Sequence, residues 1–330
     1  MSSQANVPLA PGYQLLDYRI DKVLSSGGFS IVYLATDPEG NQVAIKEYLP
    51  SGIALRVDGS SIKIEAPEHQ ATFRHGLKCF FEEGRALAKI RHPNIVQVEN
   101  FFRANETVYL VMQYVRGRTL QFHVKSNRNQ FTEQFMRRFF SNFLNALREV
   151  HTHKLLHLDI KPANIYVNMD GTPVLLDFGA ARLGLEEEKT RLKPMYTAGF
   201  AAPEQYRQDG KLGPWTDIYS VGATMYSCLA GTPPQAADDR LKQDRVIPAT
   251  SQWKDYFSQD FLDIIDWCMR INLDHRPQSA FALQKALVRH HAPPPKPSLI
   301  THIKRRIIKR ITENDSKSDG KNEGVNEKEE

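Results

Sequence analysis

The side chains best suited to chemistry lie in four short segments. In residues 157–165, HLDIKPANI, a carboxylate (Asp159), an ammonium (Lys161) and an amide (Asn164) crowd into one loop. The interleaved Leu158, Ile160 and Ile165 imply that this loop is anchored to a core, although a solvated turn has the same polar content. In residues 175–181, LLDFGAA, Asp177 directly follows an apolar run and precedes a glycine. A carboxylate there is either a costly buried charge or a metal ligand, and Asp with Asn oxygens suits Mg2+. Residues 24–35, LSSGGFSIVYLA, set the pair Gly27 and Gly28 between two strand-like runs. Such a pair lets backbone approach a ligand and point N–H groups at phosphate oxygens, but a plain hairpin uses it too. Lys46 ends the run VAIK, 18 residues after Gly28. A lysine at a strand end is ordinarily a surface residue. On a strand paired with the glycine hairpin, its ammonium would lie beneath a phosphate held by the loop.

The elements that must position these groups change character along the chain. Residues 13–115 carry alternating or short apolar runs (IVYLA, QVAIKEYL, VYLVMQYV) and predict strands, with DPEGN as a turn. Within them, residues 80–92 have helical spacing (Phe80, Ala86, Leu87, Ile90), closed by Pro93. From Thr132 the period becomes helical: Phe135, Phe139, Phe143, Leu144, Leu147 and Val150 predict one long amphipathic helix over 132–153. WTDIYSVGATMYSCLAG, QDFLDIIDWCMRI and SAFALQKALVRH also read as helices. Strands first and helices afterwards predict an α+β chain of two lobes, 13–115 and 116–290. A loose Ser-, Pro- and Gly-containing leader is expected over 1–12. Residues 291–330 read as a stiff APPPKPS linker, a basic segment and a polar, disordered end.

Composition narrows the class. Of 330 residues, 41% are hydrophobic and 25% charged, ordinary for a chain that buries a core. The net charge of +5 is too small to signal a nucleic-acid binder. Three scattered cysteines (Cys79, Cys228, Cys268) form neither a disulfide framework nor a zinc site and suit a reducing compartment. There is no run of 18 apolar residues and the N-terminal stretch lacks signal-peptide character. A soluble, cytoplasmic protein is the expectation.

In their order and spacing the four segments resemble the signature set of the protein kinase superfamily: Gly-rich loop, strand lysine, catalytic loop and magnesium aspartate. The resemblance extends over residues 13–290. GGFSIVYLA, DIKPANI and APEQY are most similar to bacterial, eukaryotic-like Ser/Thr kinases. It implies a bilobal fold, a β-rich N-lobe with one regulatory helix and a larger helical C-lobe. It also implies ATP with Mg2+ (Mn2+ as the alternative ion) and protein substrates bearing Ser or Thr. Asp159 would orient the substrate hydroxyl and accept its proton, and Lys161 would neutralise charge on the transferring phosphoryl. Asn164 and Asp177 would hold the metal. Lys46, paired with Glu83 (Glu82 as the alternative), would hold the α- and β-phosphates. Leu24, Ser25, Gly27 and Gly28 belong to the loop above them, Val32 and Ala44 to the roof over adenine. Met112 takes the gatekeeper position, and main chain from Gln113 to Val115 would meet the adenine edge. Thr197 would bridge Asp159 and Lys161, and Arg276 would pair with Glu204.

Three departures bear on function. Ser25 and Ser30 replace the outer glycines of the Gly-rich loop, which implies weaker loop closure. Leu158 stands where the family has an arginine that pairs with an activation-loop phosphate. That non-RD pattern implies basal activity, with autophosphorylation, and no obligatory phosphate on the 178–203 loop. Residues 47–75 form a long insertion before the regulatory helix, with strand-like ALRV and SIKIEA; it is either an extra hairpin or a regulator's dock. Beyond the resemblance, LITHIKRRIIKRI (299–311) puts Ile300, Ile303, Ile307 and Ile311 on one helical face, with Ser298 as its cap. Residues 296–311 hold six basic side chains and no acidic one. The segment 298–311 suits an anionic membrane surface, which would make the protein peripheral to the inner membrane face. A regulator's groove, or a helix packed on the large lobe, suits it as well. The competing class for the whole chain is a pseudokinase scaffold, which the presence of Lys46, Asp159, Asn164 and Asp177 disfavours.

Overall fold

Alternating apolar residues make the first layer. In the computed structural model, which describes residues 6–126, 130–176, 197–207 and 209–289, eight strands precede the helical half. They are β1 (Gln14–Leu15), β2 (Tyr18–Ser26), β3 (Ser30–Thr36), β4 (Gln42–Tyr48), β5 (Ala54–Val57), β6 (Ser61–Ile64), β7 (Val98–Ala104) and β8 (Thr107–Gln113). Six of them form one antiparallel sheet in the order β1-β2-β3-β4-β8-β7, while β5 and β6 pair as a separate hairpin. Directly paired residues share a face. Val32, Lys46 and Leu110 therefore stand in one row across the sheet, with Leu34, Ala44 and Met112 in the next. Tyr33, Ile45, Glu47, Tyr109 and Val111 belong to the opposite face.

Each face has its own cover. On the Lys46 side lies α1 (Gln70–Leu87), whose Phe73 and Phe80 rings each sit 5.5 Å from Tyr48. A Cβ on Gly84 would lie 2.2 Å from Leu110 Cδ2, so glycine is what allows the helix this close. The helix starts ten residues earlier than its most apolar stretch suggests and ends at Leu87 instead of residue 92. Phe73, Gly76, Phe80, Glu83 and Leu87 keep helical spacing through a polar-looking sequence, and after Leu87 the chain turns to bury Ile90.

The Glu47 side is covered by the hairpin β5–β6, which meets the expectation of an extra hairpin, and by residues 6–12. The expected loose leader is corrected for these residues. Leu9 is 1% exposed and its N–H donates to Tyr33 Oη at 3.1 Å. Asn6 Nδ2 donates to Leu49 O and Arg56 Nε to Val7 O. Small and polar composition suggested mobility; a single buried leucine and main-chain acceptors supply the anchoring. Beneath them the Arg56 guanidinium pairs with Glu47, both fully buried. Tyr33 Oη donates to Glu47 Oε2 (2.7 Å) and Tyr109 Oη to Glu47 Oε1 (2.5 Å). Burial, then the neighbouring Glu47 charge, pushes both phenols well above their ordinary range.

The helical half begins with β9 (Gly117–Thr119) and α2 (Leu120–Ser126), then α3 (Glu133–Thr152), capped by Thr132 Oγ1 accepting from Phe135 N. The strands β10 (Ile165–Asn168) and β11 (Pro173–Leu175) complete a small sheet with β9. Next come α4 (Pro214–Ala230), α5 (Ala237–Lys242), α6 (Ala249–Gln252), α7 (Gln259–Cys268) and α8 (Ala280–Val288). The apolar stripe of α3 and the almost wholly buried α4 centre this core. The core continues into the sheet half through Leu87, Ile90, Val96 and Met112. Leu175 N donates to Asn94 O, and Val96 N to Leu175 O, stitching the halves together. No helix among the described residues is long and apolar enough to cross a membrane. The linker, the basic segment 298–311 and the polar end lie outside the described residues.

Removing one partner of a buried ion pair leaves an uncompensated charge. Arg56→Ala is expected to lower unfolding free energy by about 3–5 kcal/mol in urea denaturation at pH 7, the double Glu47→Gln/Arg56→Met variant by clearly less.

Candidate active site

Residues 157–164 connect α3 to β10 and collect four polar side chains. Asn164 Nδ2 donates to Asp159 Oδ2 and to Asp159 O, both at 2.9 Å. Lys161 Nζ lies 2.7 Å from Asp159 Oδ2 and donates to Thr197 Oγ1 at 2.7 Å. Thr197 Oγ1 in turn donates to Asp159 Oδ1 at 2.8 Å. Three donors thus occupy a carboxylate that has about four acceptor positions, which leaves room for one more hydroxyl. The side chains of Asp159 and Lys161 are each 22% exposed, so an incoming side chain can reach them.

The loop backbone is strained to make this arrangement. Leu158 has φ +61°, a conformation disfavoured for a branched residue, and its side chain is packed in the core. Asp217, fully buried on α4, accepts from His157 N (2.9 Å), Leu158 N (2.8 Å) and His151 Nε2 (2.8 Å). Burial alone would raise this carboxyl. The His151 hydrogen bond and charge, followed by the neighbouring His157, overcome burial and hold it below the ordinary carboxylate range. Gln205 Nε2 donates to Leu158 O at 3.0 Å, so Leu158 is tied at both its N–H and its carbonyl. Gln205 is placed by its neighbour Glu204, which Arg276 grips with two bonds of 2.8 and 3.0 Å. Ser220 Oγ donates to Phe200 O, fastening the same segment to α4.

The nucleotide-binding candidates on the sheet come together as well. The register sets Ser25 beside Val32 and Val32 beside Lys46 on one face, with Ala44 and Met112 in the adjoining row. Leu24, Ser25, Gly27 and Gly28 are exposed at the open end of the β2–β3 hairpin. Lys46 and Glu83 are both buried, with Lys46 Nζ 5.4 Å from the centre of the Phe80 ring. Gln113 N donates to Gln97 O, which sets the start of the 113–115 segment. Asp177 lies outside the described residues. Leu176, the last described residue before it, donates its N–H to Asn164 O at 3.2 Å. Because Asn164 spends its amide N–H2 on Asp159, its Oδ1 is the atom left for a cation, and such an oxygen donor suits Mg2+.

His151, Gln205 and the network around Glu47 were not singled out from sequence. Only Glu47 has a local signal: it is a carboxylate in the buried second half of β4.

The site thus joins a carboxylate, a lysine and an amide from one loop to a threonine from a second segment, between a sheet-built half and a helical half. The protein kinase domain family matches residues 18–288, and the chain belongs to that family. A solved structure, the PpkA-294 apo form, is 33% identical with a TM-score of 0.76, covering 85% of this chain and 99% of its own. Serine/threonine-protein kinase B of Synechocystis is 28% identical over 82% of this chain and 46% of its own length. PknB of Mycobacterium leprae is 28% identical over 87% and 45%. Rat serine/threonine-protein kinase D2 is 29% identical over 83% and 29%. The chain spans less than half the length of these curated relatives.

Asp217 stabilises the fold as an anion, because its folded pKa lies below its unfolded value. That contribution is complete above the ordinary carboxylate pKa of about 4 and is lost as pH falls through the depressed folded value. Asp217→Asn, which turns an amide toward a backbone donor, is expected to cost about 3 kcal/mol at pH 7. The gap to wild type should narrow when urea denaturation is repeated below pH 4.

Proposed function

We propose that the chain is an ATP- and Mg2+-dependent protein serine/threonine kinase. The observation that carries this reading is the closed quartet of Asp159, Lys161, Asn164 and Thr197, whose carboxylate keeps one acceptor position open at an accessible surface. When bound, Mg2+ and ATP supply the γ-phosphoryl group and offset charge on its oxygens. Asn164 and Asp177 would hold the ion. Asp159 orients the substrate hydroxyl and takes its proton as the new oxygen–phosphorus bond forms and the bond to the leaving ADP breaks. Lys161, fixed by Thr197, offsets the negative charge between them. Lys46, paired with Glu83, holds the α- and β-phosphates, and Val32 and Ala44 close over adenine. With about 10^2–10^4-fold at stake in a positioned base, Asp159→Ala should lose label incorporation from γ-labelled ATP by at least about a hundredfold. A wild-type chain that labels neither itself nor a generic protein substrate would refute the reading.

The kinase is also proposed to be of the non-RD type. A buried leucine at position 158 has no way to bind an activation-loop phosphate, so loop phosphorylation is not an obligatory switch through this contact. Phosphatase-treated protein is expected to keep at least about half its kcat, a change worth only about 0.4 kcal/mol of barrier. Complete loss of activity would contradict this.

A further inference from the structure

The Gly-rich hairpin is exposed at its tip, where Phe29 is 47% exposed and Gly27 and Gly28 have no cover. Side-chain packing therefore does little to fix it. Its conformation is held instead by the residues that follow β4. The β3–β4 ladder continues past both strand ends: Leu49 N donates to Phe29 O at 2.9 Å, and Ser51 N to Gly28 O at 2.8 Å. Gly27 N closes the turn on Ser30 O at 2.9 Å. Among the described residues, these two bonds are the hydrogen bonds that reach Gly28 and Phe29 from outside their own hairpin.

Residues 49–51 are themselves braced. Asn6 Nδ2 donates to Leu49 O at 3.1 Å and reaches Ser51 Oγ at 3.5 Å. Ile53 and Ala54 N–H groups return to Pro50 O, and Gly52, at φ +74°, turns the chain into β5. Glu65 N donates to Ile53 O, closing the base of the inserted hairpin. The Arg56–Glu47 pair then fastens that hairpin to β4, one residue beyond Lys46. A continuous path of hydrogen bonds thus runs from leader and insertion to the loop tip.

We propose that residues 49–51 form a clasp that presets the Gly-rich loop for nucleotide, with Ser51 as a positioning residue acting through its backbone N–H. The proposal rests on the reading of this hairpin as the element over the phosphates. In a trans peptide the carbonyl and the next N–H point in opposite directions. Pinning the Gly28 and Phe29 carbonyls to residues 49–51 therefore turns the N–H groups of Phe29 and Ser30 the other way. Successive donors so oriented suit an anion. Ordering them before binding removes part of the cost that an open loop would meet on closing. The clasp thereby compensates for Ser25 and Ser30, which replace the outer glycines of the family pattern. The insertion acts on nucleotide affinity without touching nucleotide.

Ser51→Pro removes the donor, and Ser51→Ala retains it. In the full chain, Ser51→Pro is expected to raise the calorimetric Kd for ATP with Mg2+, and KM for ATP, about five- to tenfold, the worth of one net hydrogen bond. Its kcat should stay within about twofold, because saturating nucleotide orders the loop. Ser51→Ala should match wild type. Equal affinities in all three proteins would overturn the clasp while leaving the nucleotide site intact; a wild type that binds no ATP would overturn the site reading itself. Hydrogen exchange on unliganded wild type tests the clasp whether or not the proline variant folds. Protected Leu49 and Ser51 amides support it, and exchange at the unstructured rate overturns it.

Discussion

One buried carboxylate governs the geometry of the site. Asp217 holds two consecutive N–H groups of the 157–164 loop, at His157 and Leu158, while Leu158 sits at φ +61°. That conformation costs about 1–2 kcal/mol for a non-glycine residue. A hydrogen bond to an ionised acceptor contributes about 1.5–3 kcal/mol, so the two together outweigh the strain. The strain is useful. Asp159 follows directly, and its carboxylate meets Asn164, Lys161 and Thr197 only because the chain has turned at Leu158. The Arg276–Glu204 pair and Gln205 secure the same turn from the other side. A site that depends on a few tenths of an ångström is thus fixed by groups that never approach substrate.

The strand β4 carries the second organising constraint. Alternation along a strand sends successive side chains to opposite faces, and here two oppositely charged neighbours are both buried. Lys46 faces α1; Glu47 faces the inserted hairpin and leader. Burying Glu47 is tolerable because Arg56 and two tyrosine hydroxyls satisfy it. The arrangement makes the position of Lys46 depend on elements packed against the other face of the same strand. An insertion that looks like decoration in one dimension is, in three, the outer support of the sheet half.

Much of this was legible in the sequence, and what was not has a common cause. The periodicity of residues 132–153 shows α3 almost to the residue, because an amphipathic stripe and a threonine cap are local signals. The catalytic and loop segments were visible because each packs its chemistry into fewer than ten residues. The long-range partners were hidden. His151 and Asp217 are 66 residues apart, Gln205 and Leu158 47 apart, and no local pattern links them. Residues 6–12 looked mobile because their anchoring comes from one leucine and from backbone acceptors, which composition does not display. The start of α1 was missed for a related reason: its buried face includes two glycines and a glutamate, so the stripe is not apolar in type.

The central claim is that this rigid loop transfers phosphoryl groups to aliphatic hydroxyls of proteins. Phosphoamino-acid analysis of a generic protein substrate after incubation with the full chain, Mg2+ and γ-labelled ATP tests it most directly. The account predicts label on serine and threonine. Label confined to tyrosine, or bound nucleotide with no label transferred to any acceptor, would contradict it.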